Sequence, residues 1–279
     1  MEVRIAKTAG FCWGVRRTVE RLMEVADSAA GRAVVTLGPV IHNPQAVELF
    51  REKGVGTVDA IAEVGDGATV VVRTHGAVKS ELAAAKERGL DVVDGTCPYV
   101  KYPQVMAQRL SKEGYHLIIV GDANHAEVKG VISYADGPCT VVNPGGPIPE
   151  VSARKVAVLA QTTCIGAEFE RVVGGLALRH KEVRAVNTIC SDTDERQGDA
   201  RELAREVDAV VVVGGKNSAN TRHLAELCRD IQPRTWHIET EEELQAEWFR
   251  GCKRVGISAG ASTPDWVVEE VAERLRALQ

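Results

Sequence analysis

The chain has 279 residues, a formal net charge of −5 and only four residues each of Trp, Tyr and Phe. The acidic balance leaves no basic surface for nucleic acid, and the few aromatics leave no stacking platform for single-stranded RNA, so no nucleic-acid partner is expected. Neither an apolar leader nor a ~20-residue apolar span is seen, so a cytoplasmic chain with no membrane partner is the default expectation.

Taken in order, a β-like run at 3–11 leads into Cys12, and a helix is expected at 15–28. Strand 33–37 and helix 44–53 follow, then strand 69–73, helix 79–88 and a run at 91–96 (strand 92–94) into Cys97. The pattern then repeats. Helix 100–112, strands 116–120, 139–142 and 155–160, and helix 168–179 precede a run at 183–189 (strand 183–186) into Cys190. Helix 194–206, strand 209–213, helix 221–231, strand 254–258 and helix 264–278 complete the chain. Apolar β-branched runs alternating with amphipathic segments predict an α/β fold with parallel sheets covered on both faces.

The loops after the strands recur as well. Gly38-Pro39-Val40-Ile41-His42-Asn43, Gly121-Asp122-Ala123-Asn124-His125 and Gly214-Gly215-Lys216-Asn217-Ser218 each join a strand to a helix. A second set is Arg73-Thr74-His75-Gly76, Gln161-Thr162-Thr163-Cys164 and Ala259-Gly260-Ala261-Ser262-Thr263. The third copy has no cysteine-ending strand after its last helix, and 3–12 supplies one. Three pseudo-threefold-related lobes are therefore expected: 13–97, 98–190, and 191–279 completed by 1–12. Each would be a small, mainly parallel sheet flanked by helices, arranged around a central site.

Ligands of open α/β sheets sit beyond the carboxyl ends of the strands. A pocket there would collect Cys12, Cys97, Cys190, His42, His75, His125, Glu127, Thr162, Ser218, Asn220 and Ser262. A single cysteine is more often a buried small apolar residue, and Cys139, Cys228 and Cys252 keep that reading. Cys164, in a functional loop, competes with the repeated three. Three thiolates suit zinc or an iron–sulfur centre and leave one coordination position open, which marks a catalytic site. The seven cysteines show no C-x-x-C spacing, and an odd, scattered set suits a reducing compartment. His42, His75 and His125, with Ser, Thr and Asn beside them, suit an anion, whereas His116, His180, His223 and His237 read as ordinary. No H-E-x-x-H is present, and Lys216-Asn217-Ser218 fails as a P-loop because Val210 replaces the first glycine. Ser218 and Asn220 equally suit a helix N-cap, itself an anion site.

Several of these stretches together resemble the 4-hydroxy-3-methylbut-2-enyl diphosphate reductase family: Gly10-Phe11-Cys12-Trp13-Gly14-Val15, Pro39-Val40-Ile41-His42-Asn43, Asp94-Gly95-Thr96-Cys97-Pro98, His125-Ala126-Glu127-Val128, Cys190 with Arg196-Gln197, and Gly260-Ala261-Ser262-Thr263-Pro264-Asp265. The resemblance implies one 4Fe–4S cluster on Cys12, Cys97 and Cys190 with an open iron. It implies reductive dehydration of an allylic diphosphate to isopentenyl and dimethylallyl diphosphate, with electrons from a ferredoxin- or flavodoxin-like donor. His42, His75, Thr163, Ser218, Ala219, Asn220 and Ser262 would hold substrate. His125, Glu127 and Thr162 would surround its hydroxyl as the catalytic set, with Thr193 near the cluster. Ala219 stands where the family usually has serine, and Ala126 where proline is common. The cluster and the diphosphate are both negative, and each like-charge pair ~6 Å apart costs about 3 kcal/mol at an effective dielectric of ~20. The lining must therefore be rich in donors, with Glu127 its single acid. Two rival readings are a Cys₃ zinc hydrolase of a phosphorylated metabolite and a non-enzymatic iron–sulfur redox sensor.

Overall fold

A computed structural model describes residues 1–41 and 43–278 of the chain. In chain order the elements are β1 (Glu2–Ile5), α1 (Trp13–Asp27), β2 (Val34–Leu37), α2 (Pro44–Glu52), β3 (Val55–Val58), β4 (Thr69–Val72), α3 (Lys79–Glu87) and β5 (Asp91–Asp94). Next come α4 (Pro98–Lys112), β6 (His116–Val120), α5 (Ala126–Ser133), β7 (Cys139–Val142), β8 (Lys155–Ala160), α6 (Gly166–Ala177) and β9 (Glu182–Ala185). The last are α7 (Ser191–Glu206), β10 (Ala209–Val213), α8 (Ala219–Ile231), β11 (Thr235–Ile238), β12 (Arg254–Ala259) and α9 (Asp265–Ala277).

The strands form three four-stranded sheets, ordered β3-β2-β4-β5, β7-β6-β8-β9 and β11-β10-β12-β1, and every pairing is parallel. In each, the first strand of the set lies between its second and third, and the fourth occupies the edge. For the last sheet the fourth strand is β1, with Val3 opposite Val255 and Ile5 opposite Ile257.

Two compact units result. The first comprises Met1–Arg16, Ile41–Glu52 and Ser191–Gln279; the second comprises Arg17–Val40 and Lys53–Cys190. In the first, β10 is buried along its whole length. Val211 and Val213 pack with Val267, Val271 and Leu275 of α9, while Val210 and Val212 pack with Leu203 and Leu224 of α7 and α8. A period of two with both faces apolar is the pattern of a strand roofed by helices on both sides. In the second unit, Leu117, Ile119 and Leu159 meet Ala107, Leu110 and Val128 of α4 and α5. The opposite face, with Ile118 and Val158, meets Val172 and Leu176 of α6.

The runs expected to carry strand up to the cysteines stop early. β1 ends at Ile5, β5 at Asp94 and β9 at Ala185. Asp94 and Asn187, each three residues before a cysteine, explain two of these stops. Their side-chain oxygens accept the backbone N–H two residues on, from Thr96 at 2.9 Å and Ile189 at 3.0 Å, and bend the chain out of the sheet. Gly95 makes the bend close: a Cβ there would lie 2.3 Å from the Val72 carbonyl and 2.8 Å from Thr18. Sequence periodicity also misses β3, β11 and α5. The first two are four-residue edge strands interrupted by Gly56 or carrying His237, and α5 is two turns long with Gly130 inside it.

Candidate active site

All three cysteines are partly buried and stand at the entrance of a helix: Cys12 before α1, Cys97 as the N-cap of α4, and Cys190 before α7. Their backbone N–H groups are held alike. Cys97 donates to Thr74 O at 3.0 Å, Cys190 to Thr162 O at 2.9 Å and Cys12 to Ala261 O at 3.1 Å. Those acceptors occupy the same position in the three copies of the second loop, and the next residues are His75, Thr163 and Ser262. The sulfur of Cys12 accepts from Val15 N at 3.4 Å, and that of Cys97 from the N–H groups of Tyr99 and Val100. Such donors favour a thiolate; at Cys97 burial outweighs them and pushes the thiol upward. No cysteine forms a disulfide among the described residues. Cysteine sulfurs are the donors a thiophilic metal takes, each giving up its proton on binding.

Within the second unit, the β4–α3 loop and the start of α5 place His75 and His125 edge to face, with ring centroids 5.1 Å apart. His125 caps α5: its Nδ1 accepts from Glu127 N at 3.2 Å, so the neutral ring carries its proton on Nε2. Glu127 is 1% exposed, and both its carboxyl oxygens are taken by Thr162. The Thr162 N–H donates to Oε1 at 2.7 Å and the hydroxyl to Oε2 at 2.7 Å. Burial raises the Glu127 carboxyl above its usual range, and the two Thr162 donors recover only part of that shift. The result is a buried acid whose burial favours the neutral form, hydrogen-bonded to Thr162 in the loop that also holds Cys190. Thr163 beside it is partly exposed.

Within the first unit, Ser218 caps α8, its oxygen accepting from Thr221 N at 3.3 Å and from the Thr221 hydroxyl at 3.0 Å. The Ser218 hydroxyl proton is left for another acceptor. Ala219 and Asn220 are the first residues of the helix proper, so Asn220 is not its cap. Their N–H groups belong to a helix start, where an anion is favoured. Ser262, partly exposed, lies in the loop after β12. Two buried threonines outside the expected set tie these loops to the sheet. Thr263 Oγ1 donates to Val213 O at 3.0 Å, and Thr221 fills the space a Cβ on Gly260 would take, its Oγ1 2.1 Å from that point. Thr263 lies inside a short motif and Thr221 opens the helix expected at 221–231, but neither position signals these contacts. His42 lies outside the described residues. Its neighbour Asn43 is buried, with Oδ1 capping α2 through Ala46 N at 2.9 Å and Nδ2 lacking a partner among the described residues.

Cys164 is buried in the Thr162 loop, and burial raises its thiol to about 11, which suits a packed residue. Cys228 is fully buried in the core between α7 and α8. His116, His180 and His237 bond to Thr140 Oγ1, Ala153 O and Gly214 O, in structural roles. Among the described residues no three His, Cys, Asp or Glu side chains are grouped tightly enough for a single metal ion. No helix among them is long and apolar enough to cross a membrane.

The sequence model of the LytB protein family matches residues 3–276. The chain belongs to the LytB family. It is 81% identical over its full length to a 4-hydroxy-3-methylbut-2-enyl diphosphate reductase of Anaeromyxobacter sp. (strain Fw109-5), of which it covers 98%. A protein of the same name from Geobacter sulfurreducens is 48% identical over 99% of the chain and 97% of its own length. A solved structure of (E)-4-hydroxy-3-methyl-but-2-enyl diphosphate reductase, described as the terminal enzyme of the non-mevalonate pathway, is 45% identical. It superposes with a TM-score of 0.77, covering 99% of this chain and 100% of its own. The Plasmodium falciparum reductase shares the fold, with a TM-score of 0.90 at 23% identity over 98% of this chain and 87% of its own. By these relationships the chain is an oxidoreductase.

Proposed function

We propose that the chain reduces 4-hydroxy-3-methylbut-2-enyl diphosphate to isopentenyl and dimethylallyl diphosphate, using one 4Fe–4S cluster held by Cys12, Cys97 and Cys190. The carrying observation is the threefold recurrence of a partly buried cysteine at a helix entrance, its N–H tied to one equivalent loop carbonyl. In this reading the lobes 13–97, 98–190 and 191–279 with 1–12 supply one thiolate each. Cluster thiolates bind different irons, so they need not crowd about one ion.

When bound, the cluster supplies two electrons one at a time, drawn from a ferredoxin- or flavodoxin-like carrier, and an open iron as a Lewis acid. The chain's own residues handle anion and protons. His42, His75, Ser218, Asn220, Ser262 and the Ala219 N–H hold the diphosphate, and Thr163 lines the same pocket. Two electrons and two protons convert the allylic alcohol to product and water. Glu127, whose burial favours the neutral form, supplies the first proton through Thr162: the Thr162 hydroxyl, which donates to Glu127 Oε2 in the resting chain, turns to the leaving oxygen and takes the carboxyl proton on Oγ1 as it gives up its own. His125, with Nδ1 accepting from Glu127 N, carries its neutral-ring proton on Nε2 as a further donor. A cytoplasmic setting belongs to this reading, because seven scattered cysteines suit a reducing compartment.

Incubating anaerobically purified protein with the allylic diphosphate and a one-electron reductant tests this. Formation of the two C5 diphosphates is expected. Unchanged substrate from cluster-loaded protein contradicts the assignment.

A further inference from the structure

Arg196 belongs to no role assigned so far, yet it is among the largest fully buried side chains of the protein. It lies on α7, six residues after Cys190, and its guanidinium serves three acceptors. Nη1 donates to the carbonyls of Thr8 and of Ala259 (2.9 Å to the latter), while Nε and Nη2 each reach Asp192 Oδ2 at 3.3 Å. One turn further on the same helix, Asp199 holds Thr8 from its other side. Its Oδ2 accepts the Thr8 N–H at 2.8 Å and the Thr8 hydroxyl at 2.9 Å. All three polar groups of Thr8 are thus bonded to α7.

Thr8 is four residues before Cys12, and Ala259 is three before Ser262. The two loops are then joined directly, by Cys12 N–H to Ala261 O at 3.1 Å. Packing alone does not call for this arrangement, because a buried ion pair is often replaced by apolar side chains without loss of stability. What only a planar fork does is fix two carbonyls and a carboxylate in one plane; a lysine ammonium cannot span them. We propose that Arg196 and Asp199 are positioning residues that set the loop presenting Cys12 against the loop presenting Ser262, coupling a cluster ligand to a diphosphate contact. This rests on the cluster reading above.

The test measures iron release to a ferrous chelator from cluster-loaded protein, together with KM and kcat. Arg196→Lys and Asp199→Ala are expected to release iron about 10- to 100-fold faster than the natural chain, and to raise KM. Asp199→Asn keeps an oxygen acceptor for Thr8 and is expected to restore the natural rate. Leu203→Ala, on the same helix against Gly256, loosens packing without touching Thr8. It is expected to lower Tm yet release iron at the natural rate. Natural rates in both Arg196→Lys and Asp199→Ala overturn the proposal, as does equally fast release from Leu203→Ala. A natural chain that binds no iron overturns the cluster reading and this proposal with it, whereas an iron-loaded natural chain with indifferent variants overturns this proposal alone.

Discussion

The two units carry contrasting chemistry at the same structural position. In the second, the loops beyond the strands hold two imidazoles and a buried acid whose oxygens are both occupied by Thr162. In the first, the equivalent loops offer Ser218, Asn220 and Ser262 at a helix start and a strand end, with no carboxylate in the set. Equal topology with unequal side chains separates the tasks. In the proposed reading the buried acid of the second unit stores a proton, while the helix start and hydroxyls of the first receive an anion. Cysteines with the same backbone tether occur in both.

The largest effect separating these roles is expected from the shared element. Cys97→Ser or Cys190→Ser removes a thiolate and should abolish turnover with loss of bound iron, read by iron analysis of the folded variant. Full iron and full activity in either variant would remove that residue from the site. Next in size, Glu127→Gln keeps shape and a donor but has no proton to give. Its kcat should fall about 100- to 10,000-fold with KM and the cluster spectrum little changed. A rise in KM instead would move Glu127 to the anion-holding half. Ser262→Ala and Ser218→Ala should do the reverse, raising KM about 10- to 100-fold, since each removes a hydrogen bond to a charged group. Ser218→Ala also loses a cap worth about 1 kcal/mol, so its Tm should drop where that of Ser262→Ala does not.

The smallest effect is on stability against pH. Folding raises the Glu127 carboxyl above its ordinary value of 4.5. The unfolded chain then loses this proton at lower pH than the native one does. Glu127's contribution is complete below the unfolded value and is lost as pH climbs through the raised native one. The stability of Glu127→Gln relative to the natural chain should therefore improve from pH 4 toward alkaline pH, seen in urea midpoints. A pH-independent difference would mean that the carboxyl is not perturbed.

How much of this could be read without coordinates follows a physical line. β10 and β8 are runs of buried aliphatic residues, so periodicity alone finds them, and the three-sheet α/β fold follows. The edge strands β3 and β11 are too short and mixed to stand out, and Asx turns at Asp94 and Asn187 override the β-branched runs beside them. The cysteine-bearing turns are legible because a repeat marks them. The bonds that hold them are not. Arg196 meets carbonyls 188 and 63 positions away, and no local pattern encodes a partner at that distance. Thr162, likewise, is visible as a loop threonine, but its two bonds to a buried acid 35 residues earlier are not.

Iron and acid-labile sulfide, quantified in anaerobically purified chain and paired with electron paramagnetic resonance of the reduced sample, bear most directly on the proposed centre. About four iron and four sulfide per chain, falling when any one of Cys12, Cys97 and Cys190 becomes serine, are expected. A colourless chain with stoichiometric zinc and no sulfide would contradict it.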